Sequence, residues 1–145
     1  MHKSLIINTS GGGEIDVIGG FIADGLRQSG IKVNCKDAID IKNKSDLLGY
    51  DALIFGSETS VGEMSEEIET VLSIAEHANL EGKVGGAFGL SGCTRETAQR
   101  IYEKMKNILK MEMVNAPLCL ETISSGSAMR MAEEYGQELA KKIGV

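Results

Sequence analysis

Residues 3–14, Lys-Ser-Leu-Ile-Ile-Asn-Thr-Ser-Gly-Gly-Gly-Glu, constrain this chain more than any other stretch. A short apolar run, Leu5-Ile6-Ile7, passes straight into small polar residues and three glycines, and an amphipathic helical pattern begins at once. Strand, tight small-residue turn, helix is an order that makes an anion site. The turn's N–H groups and the unpaired N–H groups of the helix's first turn converge at the positive end of the helix dipole. Thr9 and Ser10 add hydroxyl donors, and Gly11, Gly12 and Gly13 permit positive φ and close approach by a ligand. A glycine turn can also serve only to join a strand to a helix, so the rest of the chain must decide.

Beyond the turn, Ile15, Ile18, Ile22 and Leu26 recur at helical spacing, with Asp16, Asp24 and Arg27 off that stripe, and Ser29-Gly30 closes the helix. Residues 31–35 alternate and predict a second strand. Residues 36–48 read as a polar connector with a helical turn near 45–48. Residues 50–56, Tyr-Asp-Ala-Leu-Ile-Phe-Gly, predict a third strand, apolar nearly throughout as befits one covered on both faces. A loop follows over 57–62, then a helix with Met64, Ile68, Val71, Leu72 and Ala75 inward and Glu63, Glu66 and Glu67 in its first turn.

Residues 84–88 predict a fourth strand, 89–93 a loop, and Thr94 an N-cap for a helix striped by Ala98, Ile101, Met105, Ile108 and Leu109. Residues 111–123 hold a fifth strand, bent near Pro117. Caps among residues 124–127 start a last helix that buries Ala128, Met131, Tyr135, Leu139 and Ile143.

Strands thus alternate with helical segments through short connections, the signature of an α/β domain with a parallel sheet and helices on both faces. Five strands suit the flavodoxin-like order 2-1-3-4-5, whose ligands sit outside the carboxyl ends of the strands. Three small, largely polar, glycine-containing loops meet there: 8–13, 57–62 and 89–93. Their convergence favours a ligand site at the first turn.

The 145 residues fit one domain spanning 1–145, and 42% hydrophobic with 25% charged residues is ordinary for a globular chain. The opening apolar run stops at Asn8 and no run approaches membrane-spanning length, so the expected location is the cytoplasm. Cys35, Cys93 and Cys119 are odd in number and widely spaced, and His2 and His77 lie far from them; neither a disulfide framework nor a metal site is expected. A net charge of −6 without a basic stripe excludes nucleic acid and anionic membrane as natural partners. No triad, general acid/base pair or G-x-G-x-x-G fingerprint is present.

Four stretches resemble flavodoxins and the flavodoxin-like domains of larger flavoproteins, and together they cover essentially the whole chain. Residues 8–14, Asn-Thr-Ser-Gly-Gly-Gly-Glu, look like that family's phosphate loop of pattern Ser/Thr-x-Thr-Gly-Asn-Thr-Glu. Residues 50–57 match the strand before its second flavin loop, 82–89 its fourth strand, and 134–140 its last helix. With no insertion in the fifth strand, the chain is similar to the short-chain kind.

The resemblance implies FMN as cofactor and Thr9, Ser10, Gly11, Gly12, Gly13 and Glu14 around its phosphate. Main-chain amides would do most of the holding, since glycines replace the family's Asn and Thr, and the Glu14 carboxylate would keep off the anion. It also implies that Ser57, Glu58, Thr59, Ser60, Val61 and Gly62, with Gly89, Leu90, Ser91, Gly92 and Cys93, flank the flavin ring. Neither ring loop contains an aromatic, where the family usually stacks one from each. Such stacking pairs contribute about 0.5–1.5 kcal/mol each, so FMN would be held about one to two decades more weakly. Cys93 would bring a thiol to the ring face near a helix N-terminus, although a buried cysteine is more often a small apolar filler. Glu58, Glu63, Glu66, Glu67 and Glu69 would form either an acidic docking rim or a plain solvated face.

The implied function is a non-catalytic electron carrier serving redox partner proteins. Two other readings stay open: a flavodoxin-like binding module that has lost its flavin, and an FMN-dependent oxidoreductase acting on a small substrate in the space the aromatics vacate.

Overall fold

Leu5, Ile6 and Ile7 alternate between two apolar layers and are fully buried in both, which is why the first strand lies in the middle of the sheet. The computed structural model describes residues 2–9, 13–58, 66–90, 96–120 and 126–144. Its elements are β1 (Lys3–Asn8), α1 (Glu14–Gln28), β2 (Lys32–Asp37), β3 (Ala52–Glu58), α2 (Glu66–Ala75), β4 (Val84–Leu90), α3 (Glu96–Asn107), β5 (Glu112–Met113), β6 (Leu118–Leu120) and α4 (Gly126–Ile143). The β2–β3 connection carries only 3₁₀ turns at 38–40 and 44–47, close to where the sequence expects a helical turn.

All strand pairs are parallel, in the order β2-β1-β3-β4-β5, with β6 also on β4. This is the flavodoxin-like arrangement expected from the sequence. The fifth strand position is filled by two short pieces, and the break falls at residues 114–117, beside Pro117. Tyr102 of α3 reaches into that break and donates to the Val114 carbonyl at 2.5 Å.

One face of the sheet carries α1 and α4, packed through Ile18, Ile22, Leu26, Ala132, Tyr135 and Leu139; the other carries α2 and α3, packed through Ile68, Val71, Ile101 and Met105. Gly30, at φ 85°, ends α1 as a left-handed closing residue, and the Ile31 N–H reaches back to the Leu26 carbonyl at 3.2 Å. The α1 stripe is as expected, but two other expected core residues are not in the core. Ile108 is 52% exposed and Met131 46% exposed. The N–H groups of Ile108 and Leu109 both bond the Lys104 carbonyl, at 2.9 and 3.1 Å, so the chain turns there, sending Leu109 inward and Ile108 outward. On α4 the buried face runs through Ala128, Ala132, Gly136 and Ala140, which leaves Met131 on its flank, and Ile143 is only half-buried. Among the described residues no helix is long and apolar enough to cross a membrane. Cys35 and Cys119, neither of them in a disulfide, lie on strands at opposite edges of the sheet.

Candidate functional site

β1 delivers Asn8 and Thr9, 4% and 8% exposed, to the carboxyl edge of the sheet, and α1 departs from there. Asn8 is in register with Asp37 at the end of β2 and with Gly56 in β3. Gly13 is the N-cap of α1, with φ 132° and ψ −157°, a conformation natural to glycine and strained for any L side chain. Its carbonyl accepts from the N–H groups of Asp16 at 3.1 Å and Val17 at 3.3 Å. Gly13 offers no side-chain cap, and helix geometry gives the N–H groups of Glu14 and Ile15 no intrahelical acceptor. Two main-chain donors therefore sit at the positive end of a 15-residue helix.

The carboxylates nearby are disposed so that this end is not simply neutralised. Glu14 is exposed. Asp16 accepts a hydrogen bond from the Asn8 side-chain amide, which also donates to the Thr9 carbonyl at 3.4 Å. Burial, followed by the charges of Asp16, Asp40 and Glu67, pushes the Asp37 carboxyl above the usual range. Charges from α1, the first 3₁₀ turn and α2 thus bear on Asp37 at the end of β2, on the β2 side of the corner. Arg27 lies at the other end of α1, pairing with Asp24 at 3.9 Å.

The other two loops expected at the site begin later than the sequence suggests. Ser57 and Glu58 are the last residues of β3, and Gly89 and Leu90 the last of β4, because the parallel ladder continues through Ser57↔Gly89 and Glu58↔Leu90. Ser57 is fully buried, and Leu90 packs half-buried against the α1–α4 layer. Thr9, Gly13, Glu14, Ser57, Glu58, Gly89 and Leu90 are thereby gathered on one edge of the sheet, in the order β1, β3, β4. Ser10, Gly11, Gly12, Thr59, Ser60, Val61, Gly62, Ser91, Gly92 and Cys93 lie outside the described residues, as do Glu63, Met64 and the expected cap Thr94.

Every aromatic residue of the chain is described, and each is committed elsewhere. Phe55 and Phe88 are fully buried in β3 and β4, Tyr102 and Tyr135 are bonded into the core, and Phe21 packs on the α1–α4 layer. Tyr50 precedes β3 at the opposite edge of the sheet, where its hydroxyl accepts from Asn34 at 3.0 Å. A groove of about 330 Å³ between α2 and α3, lined by Glu69, Arg100, Glu103 and Lys104, is likewise separate from the β1–α1 corner. Sequence reasoning missed Asp37 and Thr97 as residues of this edge. Thr97 could have been found, because it stands four residues before Ile101 on an apolar stripe and must therefore bury its hydroxyl.

Comparison with known proteins agrees with this architecture. A flavodoxin from the domain Archaea superposes with a TM-score of 0.90 at 23% identity, covering 99% of each chain. The Flv1 flavodiiron core of Synechocystis superposes with a TM-score of 0.88 at 21% identity, over 98% of this chain and 36% of that one. No family model matches the chain. By sequence it is 30% identical over 138 residues to the NAD(P)H dehydrogenase (quinone) of Nitrobacter winogradskyi, an alignment covering 78% of this chain and 69% of that protein. With a parallel sheet in the same order and a relative this similar over most of both lengths, the chain belongs to the flavodoxin-like NAD(P)H dehydrogenase (quinone) family.

Proposed function

We propose that this protein binds FMN at the carboxyl edge of its sheet and serves as an electron carrier for redox partner proteins. The observation that carries the reading is the β1–α1 corner, where Gly13 starts α1 at φ 132° and leaves the first-turn N–H groups without a side-chain cap. A phosphate fits such a donor set, which is main-chain, uncharged and aligned with the helix dipole. In this reading Thr9, Ser10, Gly11, Gly12, Gly13 and the Glu14 main chain surround the phosphate, while the Glu14 carboxylate faces solvent. Residues 57–62 and 89–93 flank the ring. FMN supplies the redox chemistry when bound, and the protein supplies capture, orientation and electrostatics. The carboxylates of Asp16, Asp37, Asp40 and Glu67 give this edge the charge that a basic partner would recognise for fast, weak docking.

A second reading is favoured by the names of the sequence relatives: an oxidoreductase passing electrons from NAD(P)H to a quinone. Loops without aromatics leave room beside the ring for such a substrate. Visible spectroscopy of freshly purified protein, followed by FMN titration, tests the shared premise. Yellow protein, or stoichiometric uptake of FMN, is expected; colourless protein that takes up none contradicts both readings. FMN-loaded protein is then supplied with NAD(P)H and a quinone. A carrier shows no steady turnover by itself, and sustained turnover assigns the second reading.

A further inference from the structure

We propose that Thr97 contacts the flavin ring, its hydroxyl hydrogen-bonded to a carbonyl or imino nitrogen on the ring's polar edge. This rests on the FMN reading above. Thr97 is 0% exposed and, among the described residues, its Oγ1 has no hydrogen-bond partner. Native structures rarely leave a buried hydroxyl unpaired, so a partner that arrives later is the economical explanation. Ser4 Oγ is also buried without a partner among the described residues, but it lies near the start of β1, at the edge of the sheet opposite the β1–α1 corner.

Placement identifies what that partner is. Thr97 precedes Ile101 by four residues and Met105 by eight, and both are fully buried, so all three lie on the stripe of α3 that faces the sheet. The next residue, Ala98, has its methyl 3.3 Å from where a side chain on Gly89 would begin, and the Ser57 carbonyl is equally near that point. The first turn of α3 therefore lies over the ends of β3 and β4, in the seam where Ser57 is also buried. β4 is two strands away from β1, roughly 10 Å at ordinary strand spacing. A phosphate held at the β1–α1 corner does not reach that far, but a ring at the far end of a ribityl chain does. A threonine hydroxyl, able to donate or accept, suits the mixed carbonyl and imino edge of that ring.

The test compares Thr97→Val, which removes the hydroxyl at nearly constant shape, with Thr97→Ser, which keeps it. Flavin fluorescence titration gives the affinities for FMN and for lumiflavin, a ring without ribityl chain or phosphate. Denaturant unfolding gives the stability of the FMN-free proteins. The expected result is that Thr97→Val weakens FMN and lumiflavin alike, by roughly 3- to 10-fold, while Thr97→Ser stays near wild type. FMN-free Thr97→Val is expected to be at least as stable as wild type, because no protein partner is lost. Unchanged affinity in Thr97→Val, a loss confined to FMN, or a parallel loss of FMN-free stability overturns the assignment. Wild-type protein that takes up no flavin fails the FMN reading itself. A flavin-binding wild type beside an unaffected Thr97→Val removes only the role given to Thr97.

Discussion

The hydroxyl of Tyr135 bonds both main-chain groups of Ala87, accepting from its N–H and donating to its C=O, each at 3.1 Å. Ala87 stands between the residues of β4 that pair with β5, Val84 and Gly85, and those that pair with β6, Phe88 to Leu90. A side chain from α4 thus completes the ladder where the fifth strand is broken. Tyr135→Phe would leave a buried donor and a buried acceptor unpaired and should destabilise the fold by about 2–4 kcal/mol, read from denaturant unfolding. A change under about 0.5 kcal/mol would mean that water or a shifted strand takes the hydroxyl's place.

The same burial makes stability fall at alkaline pH. Burial pushes the Tyr135 phenol well above its ordinary value of 10, an effect the Ala87 hydrogen bond only partly offsets. Its folded pKa is raised, so its contribution is complete below the unfolded value of 10 and declines as pH rises past it, when only the unfolded chain ionises. Unfolding free energy should therefore drop steeply above pH 10 in wild type and less steeply in Tyr135→Phe. Tyr102, raised by burial as well, should leave some slope in the variant.

Gly136 brings α4 unusually close to α1. A Cβ there would collide with the Ile22 carbonyl and lie 3.1 Å from the Gly25 Cα, and a Cβ on Gly25 would strike the Glu133 carbonyl. Backbone cannot yield as a flexible side chain does, so Gly136→Ala should cost about 1–3 kcal/mol or more despite the higher helix propensity of alanine. Equal thermal stability of variant and wild type would show that the helices separate freely.

Asp16 is one cause of the raised Asp37 pKa, after burial and ahead of Asp40 and Glu67. Asp16→Asn should therefore move the Asp37 titration to lower pH, measured by carboxyl-carbon NMR. Because the folded value of Asp37 is raised, its contribution to stability is complete below 3.8 and declines as pH rises through the folded value. The variant should flatten that decline. An unmoved Asp37 titration would mean that burial, with Asp40 and Glu67, sets it without Asp16.

The parts of the fold that are legible in the sequence are those fixed by period. Ile15, Ile18, Ile22 and Leu26 mark the buried face of α1, and the near-continuous apolar run 52–56 marks a strand covered on both sides. Period fails where a helix ends or where backbone contact sets its rotation. Ile108 lies just past the end of α3, and Met131 is displaced because the approach at Gly136 turns α4 onto its alanine face. By composition β3 and β4 end two residues early, since Ser57, Glu58, Gly89 and Leu90 are loop-like in type but remain in register with one another. The glycine corner is legible because strand-turn-helix order is local. The burial of Thr97 is legible in the same way, but the lack of a partner for its hydroxyl among the described residues is not, nor is the Tyr135–Ala87 bond, because each depends on which residues the sheet brings together from far along the chain.

What most directly tests a phosphate held by main-chain amides at Gly13 is the ratio of two dissociation constants, for FMN and for riboflavin, on the same flavin-free protein. The two ligands share ring and ribityl chain and differ only in the phosphate. FMN is expected to bind more tightly by at least about 10-fold, the contribution of a dianion at a helix N-terminus with its amide donors. Equal affinities, or binding of neither, would contradict the assignment of the β1–α1 corner as the anchor of the cofactor.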